Sequence, residues 1–195
     1  VDAILGFDIG GTKTALVLGT PAGEILRRVE FATPVEMNFD QAMERFAAEV
    51  KGFRAVCREQ NLPEAEVASA SVGGPLDIRR GILYSPPHLA KWGTAPLKES
   101  LERMVGLPVQ VEHDGNAGAL AEWRFGAGRG TSNLIFLTLG TGLGAGMVLN
   151  GRIYHGTTDT AGEVGHMRIA PDGPLQYGKA GSWEGYCSAS GMVQL

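Results

Sequence analysis

The sequence predicts an α/β fold in which antiparallel meanders interrupt the alternation of strands and helices. Three observations predict it. Residues 3–32 read as three strands joined by tight turns. Residues 39–60 carry apolar side chains at spacings of three and four. Between 108 and 149 a strand leads into a helix, and two further strands then flank a glycine-rich turn.

Each element has a local cause. Residues 3–9 (AILGFDI) form an apolar run that ends at Gly10-Gly11-Thr12, and 13–19 (KTALVLG) returns as the second strand. Pro21-Ala22-Gly23 turns the chain into a third strand over 24–32. In 39–60, Phe39, Met43, Phe46, Val50, Phe53 and Cys57 make one apolar helix face, with Asn38 and Gln41 placed as a cap. A strand over 66–72 stops at Gly73-Gly74-Pro75. Residues 77–93 show no period and hold Pro86-Pro87, so a long loop is expected there. Thr94 is expected to cap a helix to about Val105, with Leu97, Leu101 and Met104 inward. A strand over 108–113 ends at Asp114, and a helix from near Asn116 runs to Phe125. Strands at 133–139 and 145–149 enclose Gly140-Thr141-Gly142-Leu143-Gly144, and the chain from 150 onward reads as loop-rich.

Composition narrows the function. Glycine supplies 29 of 195 residues, roughly twice the ordinary share of about 7%, and 16 of them fall between Gly126 and Gly191. Tight turns and close backbone approaches are therefore expected in the later half. Seventeen basic against 21 acidic residues give a net charge of −4 with no basic stripe, so no nucleic-acid partner is expected. Apolar runs such as 134–137 and 147–149 fall far short of the ~20 residues of a membrane span, so no membrane partner is expected. Two cysteines, Cys57 and Cys187, make neither a disulfide framework nor a zinc knuckle. The first strand follows no signal-peptide pattern, and a cytoplasmic protein is the expectation.

Four stretches could carry chemistry. In Asp8-Ile9-Gly10-Gly11-Thr12-Lys13-Thr14, paired glycines let backbone N–H groups approach an anion. Thr12 and Thr14 add hydroxyls, and Asp8 could hold Mg²⁺ directly or through water; an ordinary hairpin turn with a surface Asp fits the same string. Gly140-Thr141-Gly142 forms a bare turn with Thr141 as a phosphate donor, but no Gly-Lys-Ser/Thr follows and the turn leads into a strand. The two glycine hairpins, at 8–14 and 138–146, resemble one another as a duplicated phosphate-binding unit would. Asp114, beside His113, lies at a strand end and a helix start, where it could accept a proton from an attacking hydroxyl or act as a plain N-cap. Glu163, His166 and Glu184 offer acceptors and a donor for sugar hydroxyls; a metal site lacks a third ligand at suitable spacing.

The ordered motifs DIGGTKT, GGPLD, PPHLAKW, EHDGNAGALAE, LTLGTGLGAG and GxxxxxGEVGH resemble the ROK family of sugar kinases and sugar-responsive repressors. The resemblance covers 3–191 and is most specific from Leu139 to His166, where Gly142, Gly144, Gly156, Gly162 and Gly165-His166 keep the family spacing. It implies the actin-like ATPase (ribonuclease H-like) fold with two lobes: an N-terminal α/β lobe over 1–114, and the start of a second, incomplete lobe over 115–195. It places Asp8, Gly10, Gly11, Thr12 and Lys13 at ATP phosphates and Mg²⁺, and Gly140, Thr141 and Gly142 near the γ-phosphate. It makes Asp114 the catalytic base, and Gly74, Glu163, His166 and Glu184 sugar ligands. A homodimer is the family's frequent state.

The chain departs from the family pattern at several points. His113 stands where the kinases usually have Asn, and Pro87-His88-Leu89-Ala90-Lys91-Trp92 where they read P-N-L-x-G-W. Both His88 and His113 fall where sugar hydroxyls would bind, which bears on specificity. The family's zinc run, C-x-C-G-x-x-G-C-x-E, aligns with 175–184, where Leu175, Tyr177 and Ser182 replace the three cysteines. One imidazole cannot hold structural zinc, so no zinc is expected, and Leu175, Tyr177 and Trp183 are expected to pack in its place. Family members extend well past this C-terminus, and the adenosine pocket is expected in that further part. The reading that results is ATP-dependent phosphorylation of a hexose or N-acetylhexosamine. A sugar-binding sensor acting through a protein partner is the alternative, and an inactive fragment the third.

Overall fold

The computed structural model describes residues 2–195, which divide into two compact units meeting between Asp114 and Gly115. In the first unit β1 (Ile4–Ile9), β2 (Lys13–Gly19) and β3 (Ile25–Ala32) form the meander. There follow α1 (Phe39–Glu59), β4 (Val67–Val72), β5 (Leu76–Asp77), β6 (Ile82–Tyr84), a 3₁₀ segment (Pro87–Trp92), β7 (Thr94–Ala95), α2 (Leu97–Val105) and β8 (Val109–His113). The main sheet has the order β3-β2-β1-β4-β8. Its first three strands are antiparallel, and β4 and β8 run parallel to β1. Helical connections are what parallel neighbours require, and α1 and α2 supply them.

Local chemistry sets α1. The Asn38 side chain accepts from the Gln41 N–H at 3.0 Å and Gln41 returns the bond to the Asn38 N–H at 3.3 Å, a complete capping box. Its apolar face is buried as expected from Phe39 to Cys57. Phe46 packs edge-on against Phe31 at 5.3 Å and Trp92 at 5.8 Å between ring centres.

Residues 77–93 differ from the expected loop. They contain β6, the middle strand of a small sheet β5-β6-β7, and the 3₁₀ segment, and they bury Leu83, Leu89 and Trp92. Strands of two and three residues are too short to show a period, and their order comes from apolar anchors in the core. Nor does Thr94 cap α2. It pairs with Tyr84 in the small sheet, and Pro96 takes the N-cap position without a side-chain bond. Leu97 and Leu101 are buried as expected, and Met104 packs partly buried on the core.

Helix α3 (Asp114–Phe125) starts two residues earlier than expected, on Asp114 itself. The second unit then comprises β9 (Leu134–Leu139), β10 (Leu143–Leu149), β11 (Arg152–Ile153), a 3₁₀ turn (Val164–His166), β12 (Leu175–Gln176), β13 (Lys179–Ala180), α4 (Trp183–Cys187) and α5 (Ala189–Met192). β9 and β10 form an antiparallel hairpin, with β11 on the other side of β10. Glycine lets α3 lie directly on this sheet. A Cβ on Gly146 would meet the Gly115 carbonyl and stand 2.8 Å from the Ala119 Cβ. Among the described residues, no helix is long and apolar enough to cross a membrane.

Candidate active site

The first unit gathers its candidate residues at the carboxyl ends of three parallel strands. Ile9, Val72 and His113 are in register across β1, β4 and β8, so the segments after these strands emerge side by side. Ligands in open α/β sheets bind at such strand ends. Asp8 is exposed between buried Phe7 and Ile9, as strand alternation requires.

The Gly10-Gly11-Thr12 turn is held by its carbonyls. Gly10 N–H donates to Lys13 O at 3.0 Å, Thr33 N–H to Thr12 O at 3.0 Å, and Thr33 Oγ1 to Gly10 O at 2.7 Å. Among the described residues no hydrogen bond occupies the Gly11 and Thr12 N–H groups. Adjacent open N–H groups on a fixed turn make an anion-binding concavity. The side chains behave differently from expectation. Lys13 pairs with Glu30 at 3.0 Å and does not turn toward the loop. Lys13 and Arg28 together hold the Glu30 carboxyl below its usual range. Thr14, one residue on and therefore on the opposite face, is fully buried and bonded to Thr33 Oγ1 at 2.9 Å.

Two imidazoles lie on glycine backbone beside this turn. The His88 Cβ stands 2.9 Å from where a Cβ on Gly11 would be, and its ring 2.6 Å from one on Gly73. The His113 ring comes within 3.1 Å of one on Gly74. His113 Nδ1 is 3.1 Å from Asp114 Oδ1; its side chain is 18% exposed against 51% for Asp114, so the carboxylate remains open to solvent. The structure thus brings Gly74, His88, His113 and Asp114 together with the first turn.

This packing makes a stability prediction. Gly73→Ala should cost about 1–2 kcal/mol, the scale of overpacking, and His88→Ala in the same chain should remove most of that cost. A denaturation double-mutant cycle measures the coupling, and simple additivity would contradict the contact.

A pH dependence follows as well. Burial pushes the His88 pKa below its ordinary value of 6.5, while Asp114 pulls it upward and His113 down. The unfolded chain therefore takes up a proton at a pH where folded His88 is still neutral. The folded state keeps its full stability above pH 6.5 and loses it as the pH falls from there toward the folded pKa. Melting profiles of the protein and of His88→Gln should diverge below that pH, the substituted chain having the shallower loss.

The second unit assembles its own cluster around Gly140-Thr141-Gly142. Gly140 N–H donates to Gly142 O at 3.0 Å, Ala189 N–H to Gly140 O at 2.9 Å, and Ser190 Oγ to Thr141 O at 2.8 Å. Again the carbonyls are consumed, and no hydrogen bond among the described residues occupies the Thr141 and Gly142 N–H groups. Glu184 is only 7% exposed and accepts from the Leu143 N–H at 2.8 Å. It lies beneath the turn as a support, so one of its two oxygens is already engaged.

Glu163 and His166 lie nearby and half-exposed, with Oε2 and Nε2 3.6 Å apart. Lys179 donates to the His166 carbonyl, and the Tyr177 ring sits 4.9 Å from the imidazole. Burial, then Glu184 and Glu163, push the Tyr177 hydroxyl pKa upward, so it stays a neutral donor. The expected apolar packing at 175–183 is only partial. Leu175 and Tyr177 are 60% and 64% exposed, because β12 and β13 form a surface hairpin, and Trp183 is half-buried. The turn anchors Thr33 and Ser190 carried no signal of their own in the sequence; only the tertiary fold brings them to the turns.

A parallel-stranded core joined to an antiparallel meander with a glycine turn at its first corner is the actin-like ATPase fold. The chain belongs to the ROK family, whose profile matches residues 4–195. A glucokinase of Streptomyces coelicolor is 37% identical over 193 residues, covering 97% of this chain and 57% of its own length. A ROK family glucokinase from Streptomyces griseus, solved in complex with glucose and AMPPNP, matches with a TM-score of 0.82 and 37% identity, over 98% of this chain and 59% of that one. A ROK family transcriptional regulator, a homolog of the E. coli MLC protein, matches with a TM-score of 0.88 and 28% identity, over 98% and 48% of the two chains. The chain spans a little over half the length of the curated glucokinase it matches.

Proposed function

We propose that the protein is a cytoplasmic sugar kinase that transfers the γ-phosphoryl group of ATP to a hydroxyl of a hexose or N-acetylhexosamine. The observation that carries this reading is the pair of turns with bonded carbonyls and open N–H groups, one ending in Thr12 and one centred on Thr141. Preorganised N–H donors are what a transferring phosphoryl group needs, because its chemistry is mostly positioning and charge stabilisation.

Asp114 acts as general base, taking the proton of the attacking sugar hydroxyl at its open carboxylate. His113 orients that carboxylate through Nδ1, and His88 and Gly74 contact the sugar. Glu163 and His166 bind sugar hydroxyls in the second unit, and Glu184 does so with its second oxygen while holding the phosphate turn. The exposed carboxylate of Asp8 fits a divalent cation held directly or through water. Mg²⁺ bound there would neutralise phosphate charge. The protein is proposed to work as a homodimer without zinc.

A coupled phosphorylation screen over hexoses and N-acetylhexosamines, run with MgATP on the full natural chain, tests the reading. Turnover on one sugar class is expected, and its absence on all of them would reject the kinase. The TM-score of 0.88 to a regulator favours one second reading, a sugar sensor acting through a protein partner. Calorimetry separates the two: a sensor binds sugar but not MgATP.

A further inference from the structure

The first unit contains a second concavity, at the other end of β1 from Asp8. Leu5 near the start of β1, Leu18 near the end of β2, the last turns of α1 and the end of α2 enclose about 210 Å³. Its floor is apolar, made by Leu5, Phe53 and Val105, all less than a tenth exposed. Apolar cavities of about 150 Å³ hold benzene, so this one accommodates a single ring with a short substituent.

The mouth is electropositive. Arg54 and Arg58, one α-helical turn apart on α1, both line the cavity, against the single carboxylate of Glu64. Arg54 gives one bond to the Val105 carbonyl at 2.9 Å, and the exposed Arg58 guanidinium makes no hydrogen bond or ion pair among the described residues. Arg27 lies outside the lining but close enough for its charge to reach Cys57: its Nη1 donates to Gln60 Oε1 at 2.9 Å, while its buried Nε has no partner among the described residues. The charges of Arg27 and Arg58 both reach the Cys57 thiol in the cavity wall, although burial wins there and pushes the thiol pKa up. None of the three guanidiniums meets a carboxylate among the described residues. A concavity with an apolar floor beneath cations that meet no carboxylate among the described residues matches an amphipathic anion, with the body on the floor and the head at the rim.

We propose that this cavity is a binding site for a small aryl or short alkyl carboxylate, its apolar body against Leu5, Phe53 and Val105 and its carboxylate at Arg54 and Arg58. The assignment is independent of the kinase reading, since no residue of either turn is involved.

Phenylacetate is the probe, titrated into the full chain with methyl NMR as the readout. Saturable shifts confined to Leu5, Leu18, Leu62, Val105 and Leu107 are expected. Phenylacetamide, the same shape without charge, should bind at least about fivefold more weakly, and Arg58→Gln should weaken phenylacetate by about fivefold, the scale of one exposed ion pair. Arg58→Lys should restore part of the loss. An unchanged methyl spectrum of the free Arg58→Gln chain identifies that loss as binding and not folding. Absence of saturable phenylacetate shifts, shifts at other methyls, or equal affinity for acid and amide would each overturn the proposal.

Discussion

Replacing Asp114 with asparagine is expected to lower phosphoryl transfer by about 10²–10⁴-fold, the usual contribution of a general base. The amide keeps the size of the carboxylate and can still meet His113 Nδ1, which lies 3.1 Å from the present oxygen. It cannot take up the hydroxyl proton. Because Asp114 is half-exposed at the start of α3, folding and sugar affinity should change little. Single-turnover kinetics and sugar calorimetry on the same preparation measure both quantities. A variant that binds sugar and turns over at the parent rate would remove Asp114 from the mechanism.

The second large effect falls on stability. Glu184→Ala should cost about 2–3 kcal/mol, because it strips the acceptor from a buried N–H and leaves a gap beneath the second turn. Glu184→Gln retains an acceptor oxygen and should cost distinctly less. The sharpest readout is amide hydrogen exchange at Leu143, which should accelerate strongly in the alanine variant and modestly in the glutamine variant. Exchange unchanged in both would show that another group holds the turn.

The sequence disclosed those elements whose causes are local. Helix α1 has a full apolar period and a reciprocal cap within its own 21 residues, so nothing distant was needed to find it. The 77–93 segment was opaque because Leu83, Leu89 and Trp92 order it from the core and its strands are shorter than any readable period. Thr94 has the chemistry of a cap, but its backbone pairs with Tyr84. In the site, the glycine strings announced both turns. Lys13 and Thr14 were misplaced because a strand sends neighbours to opposite faces, one to Glu30 and one to Thr33. Glu184 stands 41 positions from Leu143, so its hydrogen bond beneath the second turn has no local signal.

The way the two turns are fastened has a practical consequence for mutagenesis. Their open N–H donors are main chain, and main chain is common to every amino acid. A scan that shortens side chains one at a time would pass over Thr12 and Thr141 and register little loss of N–H donors. It would register strongly at Thr33 and Ser190, whose hydroxyls tie the turn carbonyls back. The functional map drawn by such a scan would therefore be displaced from the chemistry by one layer, marking the fastenings and leaving the working surface blank.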